Sequence, residues 1–252
     1  MMVHIFSTLL EWINDATKLI APQRCVICGR RLRSDEKHIC FSCYARLPFT
    51  NIRGEKGNKI EKLFWGQFPI ARANAFLKYS PHSDTSRIFL QLKYGNRPQV
   101  GYIFGRYMAN DIIETDFFET IDCIIPLPLA KKRLKERGYN QSEAISKGIS
   151  DVTGIPLDTH SVIRAIANQT QTRLHAEERK ANVKNIFALT PDHTLNGKHV
   201  LLVDDILTTG ATLLSCAQEI ARAEHVTISI MVLGLAGSHF AIQRDTDENK
   251  KE

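Results

Sequence analysis

The stretch Val200-Leu-Leu-Val-Asp-Asp-Ile-Leu-Thr-Thr-Gly-Ala-Thr212 admits few folds. An apolar run closes on two adjacent carboxylates, Asp204 and Asp205. A small hydroxyl-rich turn follows (Thr208, Thr209, Gly210, Ala211, Thr212), and a helical pattern opens at Leu213. This order predicts a buried strand, a tight loop and a helix N-terminus. Such a loop offers N–H groups backed by the positive end of the helix dipole, which suits a phosphate monoester. Gly210 lets the backbone approach an anion, and the threonines add hydroxyl donors. Two carboxylates just upstream can accept hydrogen bonds from a sugar diol. One segment thereby reads both the phosphate and the ribose of a ribose 5-phosphate group. A parallel strand ending in ordinary acids is the plainer alternative, but the constrained order of acids, threonines, glycine and helix start favours a ligand site.

Six cysteines are unevenly spent. Cys25 and Cys28 form one CxxC, and Cys40 and Cys43 form a second a short loop later. Four thiolates in two knuckles suit tetrahedral zinc, and a structural rather than catalytic ion is expected. Reduced structural cysteines or an N-terminal redox pair are the competing readings. Arg30, Arg31, Arg33, Asp35, Glu36 and Lys37 leave this segment little core of its own, so metal is expected to hold it together. Cys123 and Cys216 sit in apolar surroundings and read as inert packing residues.

With 252 residues, 43% apolar and 24% charged, the chain has the size and composition of a medium α/β domain plus a small appendage. No apolar run approaches the roughly 20 residues of a membrane span, so no membrane insertion is expected. The N-terminus lacks a basic leader, and Glu11, Asp15 and Lys18 interrupt its apolar residues. Ile5, Leu9, Trp12, Ala16 and Leu19 recur at helical spacing instead, which predicts an amphipathic helix and a cytoplasmic protein. No P-loop, GxGxxG, GxSxG or HExxH pattern occurs. ATPase, dinucleotide and serine-hydrolase chemistries are thereby disfavoured.

The organisation expected is a helix and four-cysteine module over residues 1–50, an α/β domain over 51–242, and a disordered charged tail over 243–252. Residues 51–70, with Gly54, Gly57, Gly66 and Pro69, read as a linker. Strands are predicted at 72–79, 121–127, 200–205 and 227–235, and helices at 83–93, 99–113 and 140–152. This alternation implies a parallel sheet with helices on both faces.

Two further segments accompany the phosphate loop. Pro126, Leu127 and Pro128 end a central strand in a rigid turn, where ligands bind in open α/β sheets. Lys131, Lys132, Arg133, Lys135 and Arg137 follow it. Residues 168–183 form a polar stretch read as a mobile flap whose Arg179 and Asn182 close over an anion. Basic clusters are more often solvated surface. Beside a phosphate loop they gain sense as guanidinium partners of a departing pyrophosphate.

The segment 200–212 resembles the PRPP-binding motif of the type I phosphoribosyltransferases. The order of a four-cysteine finger, Leu90-Gln-Leu-Lys-Tyr94, Pro-Leu-Pro, Arg133…Arg137-Gly-Tyr-Asn-Gln141, then Arg164, Gln171, Leu174, Arg179, Asn182 and VLLVDDILTTGAT resembles the ComF family over roughly residues 20–236. That family usually carries Phe where Tyr139 stands and Thr where Asn168 sits. The resemblance implies a type I phosphoribosyltransferase fold (a twisted, mainly parallel sheet) behind a zinc finger. It also implies PRPP with Mg2+ as ligand, and a role in natural competence handling single-stranded DNA beside a helicase-like partner. The acceptor is not legible. A non-catalytic nucleic-acid module that keeps the fold is the second reading, since net charge of +6 attracts polyanions. A scaffold whose finger docks a partner protein is the third.

Overall fold

The computed structural model describes residues 24–81, 83, 85–165 and 186–236. The chain divides after Leu47 into two compact units. The expected N-terminal helix, the flap at 168–183 and the tail lie outside the described residues.

In the small unit, two knuckles face one another. The Cys25 N–H donates to the Arg30 carbonyl at 2.8 Å, and the Gly29 N–H closes back onto the Cys25 carbonyl at 2.9 Å. Gly29 sits at φ 74°, a left-handed turn that glycine adopts without strain. The second knuckle is a single helical turn, α1 (Phe41–Tyr44), in which the Cys43 and Tyr44 N–H groups donate to the Cys40 carbonyl. Buried Glu36 ties the loop between them. It accepts from Arg30 Nη2 at 2.6 Å, from the Arg33 N–H at 2.9 Å and from the Phe41 N–H at 3.0 Å. Those hydrogen bonds, led by that from Arg33, hold its carboxyl down at about 2.

The large unit opens with a helix that the sequence reading missed. Residues 51–70 are not a plain linker, because α2 (Lys59–Phe64) lies inside them. Its start is capped by the Asn58 side chain, whose Oδ1 accepts from the Ile60 and Glu61 N–H groups while its Nδ2 donates to Glu61 Oε1. Glycines on either side masked this signal. Ile60 and Phe64 are buried, each contributing on the order of 2 kcal/mol.

The sheet is formed by β1 (Ala73–Tyr79), β2 (Cys123–Pro126), β5 (His199–Leu207) and β6 (Thr227–Ala236) in the order β1-β6-β5-β2, with every pair parallel. These strands read as continuous apolar runs because both faces are covered. One face packs Ile125, Val200, Leu202 and Ile230 against Phe64 of α2 and against Leu213, Cys216 and Ile220 of α7 (Ala211–Ile220). The opposite face packs on α4 (Pro98–Ile112) and α6 (Gln141–Thr153). Those two helices nearly touch backbone to backbone, and a Cβ at Gly148 would collide with the Tyr102 carbonyl. Helix α3 (Ser86–Tyr94) precedes α4.

Two features of the large unit were not anticipated. The basic segment forms a short helix, α5 (Lys131–Arg137), with no buried residue. An antiparallel pair, β3 (Val162–Arg164) and β4 (Phe187–Leu189), flanks the undescribed segment. No helix among the described residues is long and apolar enough to cross a membrane.

Candidate functional site

Strand β5 carries Asp204 and Asp205 toward its C-terminal end and hands over to the loop that opens α7. Gly210 is the N-cap of α7 at φ 79°, in the left-handed region. A Cβ there would also stand 3.3 Å from the Phe64 ring, a tight contact that adds to the backbone preference for glycine. No side chain caps the helix and no acidic residue occupies its first turn. Its positive end is therefore not offset locally. Thr209 Oγ1 accepts weakly from the Ala211 N–H at 3.4 Å. Residues 206–213 and Asp204 line one shallow cup.

The acidic pair is asymmetric. Asp204 Oδ1 accepts from the Ser142 hydroxyl at 3.0 Å and from the Asp205 N–H at 2.7 Å. Burial, and then the charge of Asp205, push the Asp204 carboxyl up to about 7, against those two donors and Lys93. The residue keeps some surface, but the carboxyl group itself is enclosed, and it is the enclosure that governs titration. Asp205 turns to the other side and pairs with Lys93 Nζ at 3.4 Å. Burial, with the charge of Asp204, pushes the nearby Cys216 thiol up, keeping it an inert packing group.

The segment 137–142 joins the other sequence-predicted pieces to this pair. Arg137 Nη1 donates to Gln141 at 2.9 Å, and its guanidinium lies 5.9 Å from the Tyr94 ring centroid. Gly138 ends α5 in the left-handed region, and Tyr139 donates to the Leu92 carbonyl. Asn140 caps α6 through its Oδ1, while its Nδ2 donates to the Leu127 carbonyl at 3.1 Å. Leu127 in turn donates its N–H to Val203, one residue before the acidic pair, at 2.8 Å. Pro126 ends β2 and Pro128 follows the same turn. One hydrogen-bonded path thus links α3, the Pro-Leu-Pro turn, α6 and β5.

Arg133 lies on exposed α5. Its charge reaches Arg164 at the end of β3, which burial and then Arg133 lower, with Asp204 opposing. Arg179 and Asn182 lie outside the described residues. Sequence reasoning recognised Lys93, Asn140 and Arg164 only as members of motifs and assigned them no contact. Ser142 and Phe64 it passed over. The helix cap at Asn58, with Glu61 three residues on, could have revealed Phe64, whereas nothing local marks Ser142.

In the small unit, Cys25, Cys28, Cys40 and Cys43 bring their sulfurs within 4.8 Å of one another. None is in a disulfide. Burial would raise the Cys40 thiol, but hydrogen bonds, first from the Cys43 backbone, bring it to about 6. Burial and the neighbouring sulfurs push Cys43 to about 12. Four thiolates this close cannot all ionise unaided, and a cation among them removes the conflict. The donor set fits a tetrahedral metal.

The phosphoribosyl transferase domain family matches residues 108–239. The DNA utilization protein YhgH of Shigella flexneri is 31% identical over 83% of this chain and 88% of its own length. Competence protein F of Haemophilus influenzae is 28% identical over 75% of this chain and 87% of its own. Competence protein ComFC of Bacillus subtilis matches a shorter part, 34% identical over 36% of this chain and 34% of its own.

Proposed function

Because the chain belongs to the ComF family of the type I phosphoribosyltransferase superfamily, we propose that it binds PRPP, or a related ribose 5-phosphate ligand, and acts in the handling of incoming DNA. One observation carries the ligand reading: the acidic pair and an uncapped helix N-terminus with glycine at φ 79° follow one another on a single strand end. The loop 208–212 anchors the 5-phosphate through N–H and hydroxyl donors. Asp204 and Asp205 accept from the ribose hydroxyls.

The same placement supports transfer chemistry. As pyrophosphate leaves the anomeric carbon, positive charge grows on the ribose ring, and the acidic pair favours that charge. Arg133 and Arg137, with Arg179 and Asn182 from the flap, hold the leaving anion. Phosphate contacts remote from the reacting carbon supply binding energy for the step. A Mg2+ ion arriving with the pyrophosphate would supply further charge neutralisation beside these guanidinium groups. In the small unit, zinc is the ion assigned to Cys25, Cys28, Cys40 and Cys43, with a structural role. A cytoplasmic setting, where thiols stay reduced, accords with that assignment.

The exposure of α5, with five cations in seven residues, supports the second reading, a nucleic-acid module acting on single-stranded DNA beside a helicase-like partner. Calorimetric titration with PRPP plus Mg2+, and separately with 5′-phosphorylated single-stranded DNA, separates the two. Saturable, Mg2+-dependent PRPP binding supports the transferase reading. Salt-sensitive DNA binding alone replaces it with the second.

A further inference from the structure

The proposed ribose and phosphate contacts make no use of the Leu90–Tyr94 motif, although its lysine touches the acidic pair. Lys93 stands at the C-terminal end of α3, far from β5 in sequence, yet its ammonium reaches Asp205 Oδ2 at 3.4 Å with both side chains largely covered, 27% and 15% exposed. Helix α3 is fixed at that point from two sides. Tyr139 donates to the Leu92 carbonyl, and Arg137 covers the ring of Tyr94. A long flexible side chain is thereby aimed at one carboxylate, while the other carboxylate is held by the Ser142 hydroxyl and the Asp205 N–H.

We propose that Lys93 is a positioning residue of the ribose site: through its ion pair it fixes the orientation of Asp205 and offsets the charge of two adjacent carboxylates. Asp204 is the anchored member. The charged and titratable groups around them are Lys93 on α3, Arg137 at the end of α5, Tyr139 between α5 and α6, Arg164 on β3 and Cys216 on α7. Tyr139 is pushed up to about 12, first by burial, and stays neutral, and Cys216 stays a thiol. Lys93 is thus a cation that both restrains Asp204 and contacts Asp205 directly. The inference rests on the ribose reading of the pair, and its test separates the two.

The experiment compares the full chain with K93M and K93R. Carbon-13 carboxyl titration, with the Asp204 signal assigned by its loss in D204N, reads the charge coupling without any ligand. Calorimetry with ribose 5-phosphate reads its consequence. Loss of a charged partner in a partly covered site is expected to weaken ribose 5-phosphate binding about tenfold or more in K93M, with K93R recovering most of it. The Asp204 midpoint moves above its value of about 7 in K93M and returns in K93R, a change that a merely structural lysine would not produce. A K93M chain that titrates like its parent, or binds ribose 5-phosphate equally well, overturns the assignment. If the parent itself fails to bind ribose 5-phosphate, the ribose reading falls, and the carboxyl titration still decides whether Lys93 governs the pair.

Discussion

The Ser142 hydroxyl donates to Asp204 Oδ1 at 3.0 Å, joining α6 to β5 across 62 positions of sequence. This bond holds an enclosed carboxyl in one rotamer beside a neighbour of like charge. Ser142→Ala leaves that oxygen one donor short, at a cost of about 1 kcal/mol. Ligand affinity should fall several-fold, with Ser142→Thr closer to the parent. Equal calorimetric constants for Ser142→Ala and parent would mean that the bond positions nothing.

The double change Asp204→Asn, Asp205→Asn keeps side-chain size and removes both negative charges. It should abolish PRPP binding with the far-ultraviolet circular dichroism of the parent retained. Undiminished binding in that folded variant would remove the acidic pair from the site.

Gly210→Ala places a methyl 3.3 Å from Phe64 in a left-handed conformation. Thermal unfolding should show a loss of about 1 kcal/mol or more, since alanine is strained where φ is positive. The loop must shift to relieve the contact, so phosphate-ligand affinity should fall further than stability alone explains. Phe64→Leu in the same background relaxes the clash and should recover part of the affinity.

Asp204 also makes stability depend on pH. Its folded value, about 7, lies above the unfolded one of about 3.9. Below the unfolded value both states are protonated, and nothing is lost. As pH rises between the two values, the unfolded chain releases a proton that the native chain retains, so native stability declines, and it levels off above the folded value. Asp204→Asn should therefore flatten the melting-temperature profile between about pH 4 and 7. Parallel profiles for parent and variant would show that another group dominates that window.

Cys25→Ser with Cys28→Ser removes half of the cluster and should reduce zinc, measured by atomic emission, from about one ion per chain to none. Glu36→Gln tests the loop rather than the ligands. It loses the charge that Arg30 faces and turns one of the two accepting oxygens into an NH2 donor, so the loop loosens, and zinc should remain bound and yield faster to a chelator. Zinc retained at one per chain in the double serine variant would refute the ligand set.

The sequence by itself determined what depends on neighbouring residues. The strand-to-helix order around Asp204–Thr212, the CxxC spacings of Cys25 to Cys43, and the apolar runs of β1, β2, β5 and β6 are local patterns, and each agrees with the fold. Helix α2 was equally local, but its Asn58 cap opens only a short helix and lies among glycines that suggest a loop. Tertiary structure alone decided which residues serve the acidic pair. Lys93 and Ser142 lie on two different helices; Lys93 was legible only as part of the Leu90–Tyr94 motif and Ser142 not at all. Their roles arise because a parallel sheet brings β2 and β5 side by side and packs α6 across them. The ends of α3, the Pro-Leu-Pro turn and α6 thereby converge on one strand end, and a hydrogen bond or ion pair between distant residues exists only once the backbone has closed that distance.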